Sequence, residues 1–230
     1  MHPLLPALQK GLAGLSLTLT EDQQTHLLAY MDLIGKWTKV YNLTAVRDAD
    51  EMLTHHLLDS LAVVAPLRRE LAKLPMPSAD AVAEQGVAKS VRHKFSLLDV
   101  GAGAGLPGIV IAITCPEVSV TCVDTVAKKA AFIQQVAATL KLPNLKGLHA
   151  RVESLTQPYD VVCSRAFASL LDFTTWSKSA LASHGVWMAM KGKHPDLELA
   201  VLPESVKVFH VEQLQVPGLD AERCIIWMRG

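Results

Sequence analysis

The residues that could do chemistry gather in one stretch, DVGAGAGLPG over positions 99–108, followed 19 residues after Gly105 by Asp124. Glycines at 101, 103 and 105 let a chain turn sharply and bring its backbone against a ligand, with helix-start N–H groups close by. An acid such as Asp124, at the end of the following strand, can accept both ribose hydroxyls of an adenosyl ligand. Asp99, two residues before the first glycine, could orient the loop or face a ligand's amino group.

Two cofactors compete for such a loop. Positions 103–108 (GAGLPG) fit the GxGxxG of a dinucleotide fold, and glycines alone do not separate the two. Three features favour S-adenosylmethionine. Asp99 precedes the loop, the GxGxG spacing starts directly from that acid, and only about 105 residues follow Asp124, too few for a separate substrate domain.

These residues need a scaffold, and the pattern from Phe95 onward supplies one. Strands are predicted over 95–100, 118–124, 145–150, 159–164, 185–191, 206–214 and 223–229. Helices are predicted after Gly108, over 126–140 and over about 170–182. Alternating helices and near-continuous apolar strands imply an α/β domain with a mainly parallel, Rossmann-like sheet covered on both faces. The last two strands are expected as an antiparallel hairpin at one edge.

Residues 1–71 read as a helical region packed on that core. Thr20 and Gln23 form a capping box, and Leu27, Met31 and Ile34 recur at helical spacing. Trp37 and Tyr41 continue the stripe, so core packing is the leading reading for both, although with Lys36, Lys39, Asn42 and Arg47 they also interleave bases and aromatics as an RNA surface does. A second helix is expected over 50–65, stopped by Pro66. Residues 72–94 lack apolar periodicity and are expected to be a mobile linker, leaving 95–230 as the α/β domain.

Length and composition exclude much. Half of the 230 residues are hydrophobic, and 22 Lys and Arg balance 22 Asp and Glu, so neither a disordered chain nor a uniformly basic nucleic-acid binder fits. The balance is not local. Residues 128–193 hold nine Lys and Arg against three acids, with acidic blocks on either side. The four cysteines are far apart, with no CxxC, and read as buried free thiols. No apolar run reaches the roughly 18 residues that span a bilayer, and residues 1–11 lack a signal peptide's basic start. A monomer in a reducing cytoplasm, without a membrane partner, is the expectation.

The motifs together resemble one family. DVGAGAGLPGI, CVDTVAKKAAF, ARVE at 150–153, YDVVCSRAFASL at 159–170 and MKGKHPDLEL at 190–199 are similar to ribosomal RNA small subunit methyltransferase G, also called glucose-inhibited division protein B. YNLTAV at 41–46 and HHLLDSL at 55–61 resemble its helical N-terminal part. The resemblance implies a class I methyltransferase fold and methyl transfer from S-adenosylmethionine to N7 of a guanine in the 530 loop of 16S rRNA. The substrate would be naked rRNA, an assembly intermediate or the small subunit. It places cofactor contacts on Gly101, Leu106, Val152, Glu153 and Arg165, with Asp124 as the acid of the second strand. A class I methyltransferase of a small molecule or protein is the alternative.

Guanine N7 carries a lone pair and no proton, so the reaction needs alignment and a dry pocket rather than a general base. No catalytic acid or base is therefore expected. The [DN]PP[FY] signature of amino-group methyltransferases is absent after the fourth strand, where Ser164, Arg165, Ala166 and Phe167 stand instead. Cys163 lacks the preceding proline of a methylating cysteine nucleophile. Arg165 could position cofactor or substrate, or form an ordinary ion pair, and Phe167 could stack on a flipped base or belong to the core. Lys128, Lys129, Lys191, Lys193, Lys36 and Arg47 are candidates to meet RNA. His55, His56 and Asp59 lack a convincing third ligand, so no metal is expected; a helix-face ion pair or a cofactor wall fits them better.

Overall fold

The computed structural model describes residues 2–75 and 93–230, so most of the expected 72–94 linker lies outside the described residues. The N-terminal part is helical: α1 (Leu5–Gly14), α2 (Glu21–Tyr41), α3 (Ala49–Met52), a π-helical stretch (Leu53–Leu58), α4 (Asp59–Leu61) and α5 (Val64–Leu71). The rest alternates β1 (Phe95–Val100), α6 (Gly108–Thr114), β2 (Val118–Asp124), α7 (Ala127–Thr139), β3 (Leu145–His149) and β4 (Tyr159–Arg165). It ends with α8 (Leu170–Trp176), β5 (Leu181–Lys191), α9 (Asp196–Ala200), β6 (Lys207–Leu214) and β7 (Arg223–Arg229).

The seven strands form one sheet in the order β3-β2-β1-β4-β5-β7-β6. β1 to β5 pair in parallel, and β7 runs antiparallel between β5 and β6. The expected final hairpin forms, but its second strand inserts inward and leaves β6 at the edge. Strand residues alternate between two cores: Leu97 faces the one shared with the N-terminal helices, Leu98 and Val100 the other. That sharing follows from the apolar stripe of α2, whose Leu27, Met31 and Ile34 are buried.

α2 starts at the expected capping box. The Gln23 N–H donates to Thr20 Oγ1 (3.2 Å) and the Thr20 N–H to Gln23 Oε1 (3.0 Å). The Gln23 amide also donates to the carbonyls of Ile113 and Thr114, tying the start of α2 to the end of α6.

Three expectations need correction. Pro66 does not stop a helix; it lies in the first turn of α5, where a missing N–H costs nothing, and the chain breaks earlier, at Ala62 and Val63. The helix expected to 182 ends at Trp176, and β5 begins at Leu181 because Leu181 pairs with Tyr159 across a register shift. Tyr41 leaves the core: it is 42% exposed at the last turn of α2, while Trp37 packs inward.

Candidate active site

The carboxyl edge of β1, β2 and β4 opens onto a cleft of about 470 Å³, within the ordinary range for a small-molecule site. Gly101, Asp124 and Val126 line it on the β1–β2 side, Val152 and Glu153 on the β3 side, and Phe167 and Trp176 on the β4 side. Lys129 and the neighbouring Arg151 complete the rim.

Local geometry explains the glycines. Gly101 has φ +65°, and a Cβ there would lie 2.3 Å from Cδ2 of Phe167, so the aromatic ring closes directly over the turn. Gly103 has φ +60° but faces open space, since a Cβ on it would meet nothing nearer than 3.9 Å. Its backbone is therefore free to be approached by a ligand. Its N–H donates to Asp124 Oδ2 (3.0 Å), and the Val126 N–H donates to Asp124 Oδ1 (2.8 Å). Asp124 is thus fixed from two sides, with Lys129 Nζ 3.7 Å away.

Asp99 sits beneath the loop, fully buried. Its Oδ2 accepts the Gly108 N–H (2.8 Å), while Oδ1 has no hydrogen-bond partner. It orients the loop and does not line the cleft. In the strand register it lies between Cys122 and Cys163. Burial pushes its carboxyl up to about 7, and burial followed by the nearby Asp99 holds both thiols well above the usual range. A thiolate nucleophile at Cys163 is accordingly disfavoured. All four cysteines are buried and free.

A pH signature follows from Asp99. Its folded carboxyl titrates near 7, above the unfolded value of 3.8, so the folded state binds the extra proton between those limits. Its contribution to stability is full below about pH 4 and is lost as the pH rises to about 7. Urea titrations should therefore show the Asp99→Asn variant gaining on the wild type from about pH 4 to 7 and no further above that. A constant difference would contradict the assignment.

Arg165, at the end of β4, does not line the cleft. Its Nη1 donates to Asp59 Oδ2 (2.9 Å) and to the His55 carbonyl (3.2 Å), and Arg223 Nε donates to Asp59 Oδ1 (2.9 Å). Of the two readings open for Arg165, the structure displays the ion pair. His56 bonds Thr44 Oγ1 (2.6 Å), and burial followed by Arg165 lowers its pKa. Among the described residues no group of three or more His, Cys, Asp or Glu side chains is arranged to hold a metal ion.

The remaining candidates separate. Lys191 cannot serve as a free phosphate contact, because its three donors go to Glu198 Oε1, Glu198 Oε2 and the Ala168 carbonyl. Lys193, Lys128 and Lys36 are exposed, and Arg47 donates to Asn42 Oδ1 (2.8 Å). Gly105 and Leu106 lie buried at the loop's base, outside the cleft lining. Phe167 is half-buried, edge-on to Phe173 and Trp176.

Sequence reasoning missed Tyr30, Arg223 and Trp176. Tyr30 is buried in α2 and donates from its hydroxyl to the Ala104 carbonyl (2.6 Å), bracing the glycine loop. Its signal was available: a tyrosine inside a buried stripe needs a partner for its hydroxyl.

The family model described as rRNA small subunit methyltransferase G matches residues 23–73 and 80–226. The chain belongs to this family. Among its relatives, the ribosomal RNA small subunit methyltransferase G of Polaromonas sp. is 70% identical over 96% of this chain and 92% of that protein. The one from Albidiferax ferrireducens is 65% identical over 100% and 98%. Solved structures share the fold alone. TrmN from Thermus thermophilus has a TM-score of 0.50 at 17% identity, covering 60% of this chain and 45% of that one. The N-methyltransferase NodS from Bradyrhizobium japonicum has 0.51 at 12%, covering 76% and 97%. These likenesses place the family on the class I methyltransferase fold. No helix among the described residues is long and apolar enough to cross a membrane.

Proposed function

We propose that this chain transfers a methyl group from S-adenosylmethionine to N7 of a guanine in the 530 loop of 16S rRNA. The observation that carries the reading is the family match over residues 23–73 and 80–226, with a cleft at the expected sheet edge. The residues fit the cofactor: a loop backbone open at Gly103, a carboxylate fixed at Asp124, and a cleft of about 470 Å³ beside them. When bound, S-adenosylmethionine supplies a methyl group on a cationic sulfur, which N7 takes up by displacement without releasing a proton.

The chain's own part is placement. Asp124 receives ribose hydroxyls, the Gly101–Gly103 backbone admits the ligand, and Val152 and Glu153 bound the nucleoside side. Phe167 and Trp176 wall the β4 side and keep water out. Arg165 itself stays out of the cleft; its pairing with Asp59 fixes the end of β4, from which Ala166 and Phe167 continue into the cleft wall. Guanine N7 carries no proton, so the carboxylates that line the cleft, Asp124 and Glu153, are assigned to holding the cofactor and not to proton transfer.

Purified protein incubated with labelled S-adenosylmethionine and small-subunit rRNA, or with small subunits, should yield 7-methylguanine on nucleoside digestion. Absence of 7-methylguanine from every ribosomal substrate would overturn the reading.

A further inference from the structure

The last two turns of α2 do something its core stripe does not require. Tyr30 anchors the helix to the glycine loop through the Ala104 carbonyl, and eleven residues of helix beyond it rise about 16 Å. Trp37 packs edge-on against Phe132 of α7 (5.3 Å between ring centroids), and Tyr41 lies on Trp37 (4.9 Å). Phe132 shares a face of α7 with Lys128 and Lys129, four and three residues earlier, and Lys129 lines the cleft. The end of α2 therefore stands beside the cleft mouth.

Its exposed residues are of an unusual kind. Tyr41 is 42% and Val40 70% exposed, and Lys36 and Lys39 are exposed on the same turns, with Arg47 just beyond the Asn42 cap. Among the described residues, Lys36, Lys39 and Lys128 have no carboxylate within ion-pair distance. Lys39 lies in the last turn of α2, where a helix C-terminus stabilises a cation without neutralising it. An aromatic ring held by a second aromatic, open to solvent and flanked by unpaired cations, is the arrangement that binds single-stranded nucleic acid: the ring takes a base face, the cations its phosphates.

We propose that the α2 terminus is an RNA-docking surface. Tyr41 stacks on an unpaired base flanking the methyl acceptor, and Lys36, Lys39 and Lys128 meet the adjoining phosphates. This rests on reading the chain as an rRNA methyltransferase and names where its substrate is gripped outside the cleft.

The test is binding of a labelled small-subunit rRNA transcript across a salt series, beside calorimetric titration with S-adenosylmethionine and methyl-transfer kinetics. Tyr41→Ala should weaken RNA binding about tenfold, and Tyr41→Phe should keep it. Lys36→Gln with Lys39→Gln should flatten the salt dependence by about one per lysine. Cofactor affinity, the maximal transfer rate and the thermal midpoint should stay unchanged, so the kinetic effect falls on KM. Unchanged RNA affinity and salt slope, or a loss of cofactor affinity instead, would overturn the surface, as would a wild-type protein that binds no RNA. A protein that grips RNA through these residues yet transfers no methyl group keeps the surface and overturns the reading of the cleft.

Discussion

Replacing Asp59 by alanine is expected to destabilise the fold by about 3 kcal/mol or more. The carboxylate is 3% exposed and is the meeting point of two guanidiniums, Arg165 from the end of β4 and Arg223 from the start of β7. Removing it strands two mostly buried cations that then repel each other, and breaking a buried pair from one side costs far more than the pair contributes net. The loss also removes a charged link from the N-terminal helices to the sheet, beside the Arg69–Glu212 pair that joins α5 to β6. Urea denaturation at neutral pH measures it. A second substitution distinguishes the cause: Arg223→Met in the Asp59→Ala background removes one stranded cation and should recover part of the stability. A loss below 1 kcal/mol, or no recovery, would mean that the triad is solvated in effect and only decorates the interface.

Asp59 also marks what spacing along the chain does not reveal. His55, His56 and Asp59 stand out at helical intervals, but the partners of Asp59 lie 106 and 164 residues away in sequence. Local periodicity carries no information about which distant strand end a helix will cover. The glycine loop was legible for the opposite reason: left-handed backbone at positions 101 and 103 is a local demand, met by glycine without reference to the rest of the fold. β1, β2 and β7 matched their expected limits because their apolar runs are bounded by turn residues. β5 did not, because Ser183 and His184 interrupt the apolar run, and the strand reaches back to Leu181 only through the pairing of Leu181 with Tyr159 of β4. Tyr41 shows the limit of a stripe argument. A helix can outrun the core it packs on, and its last apolar positions then face solvent, where a different use becomes possible.

The second large effect is expected at Asp124, on ligand affinity. If its carboxylate receives both ribose hydroxyls, Asp124→Ala removes two hydrogen bonds to a charged acceptor. At roughly 1.5 kcal/mol or more each, this weakens S-adenosylmethionine binding about a hundredfold. Part of the loss comes from the loop itself, since Asp124 also accepts the N–H groups of Gly103 and Val126 and so sets the backbone that the ligand must approach. Asp124→Asn separates the two contributions. It keeps one acceptor oxygen but replaces the other with an amide nitrogen, whose donors face one of the two N–H groups that the carboxylate now holds. An affinity as poor as that of the alanine variant would assign the loss mainly to the loop, whereas an intermediate affinity would assign it to the hydroxyls. Calorimetric titration reads both variants. The transfer rate at saturating cofactor should fall much less than the affinity, because a carboxylate that holds the ribose does not touch the methyl group or its acceptor. Affinity within threefold of the wild type in both variants would place the ribose elsewhere and with it the whole orientation of the cofactor.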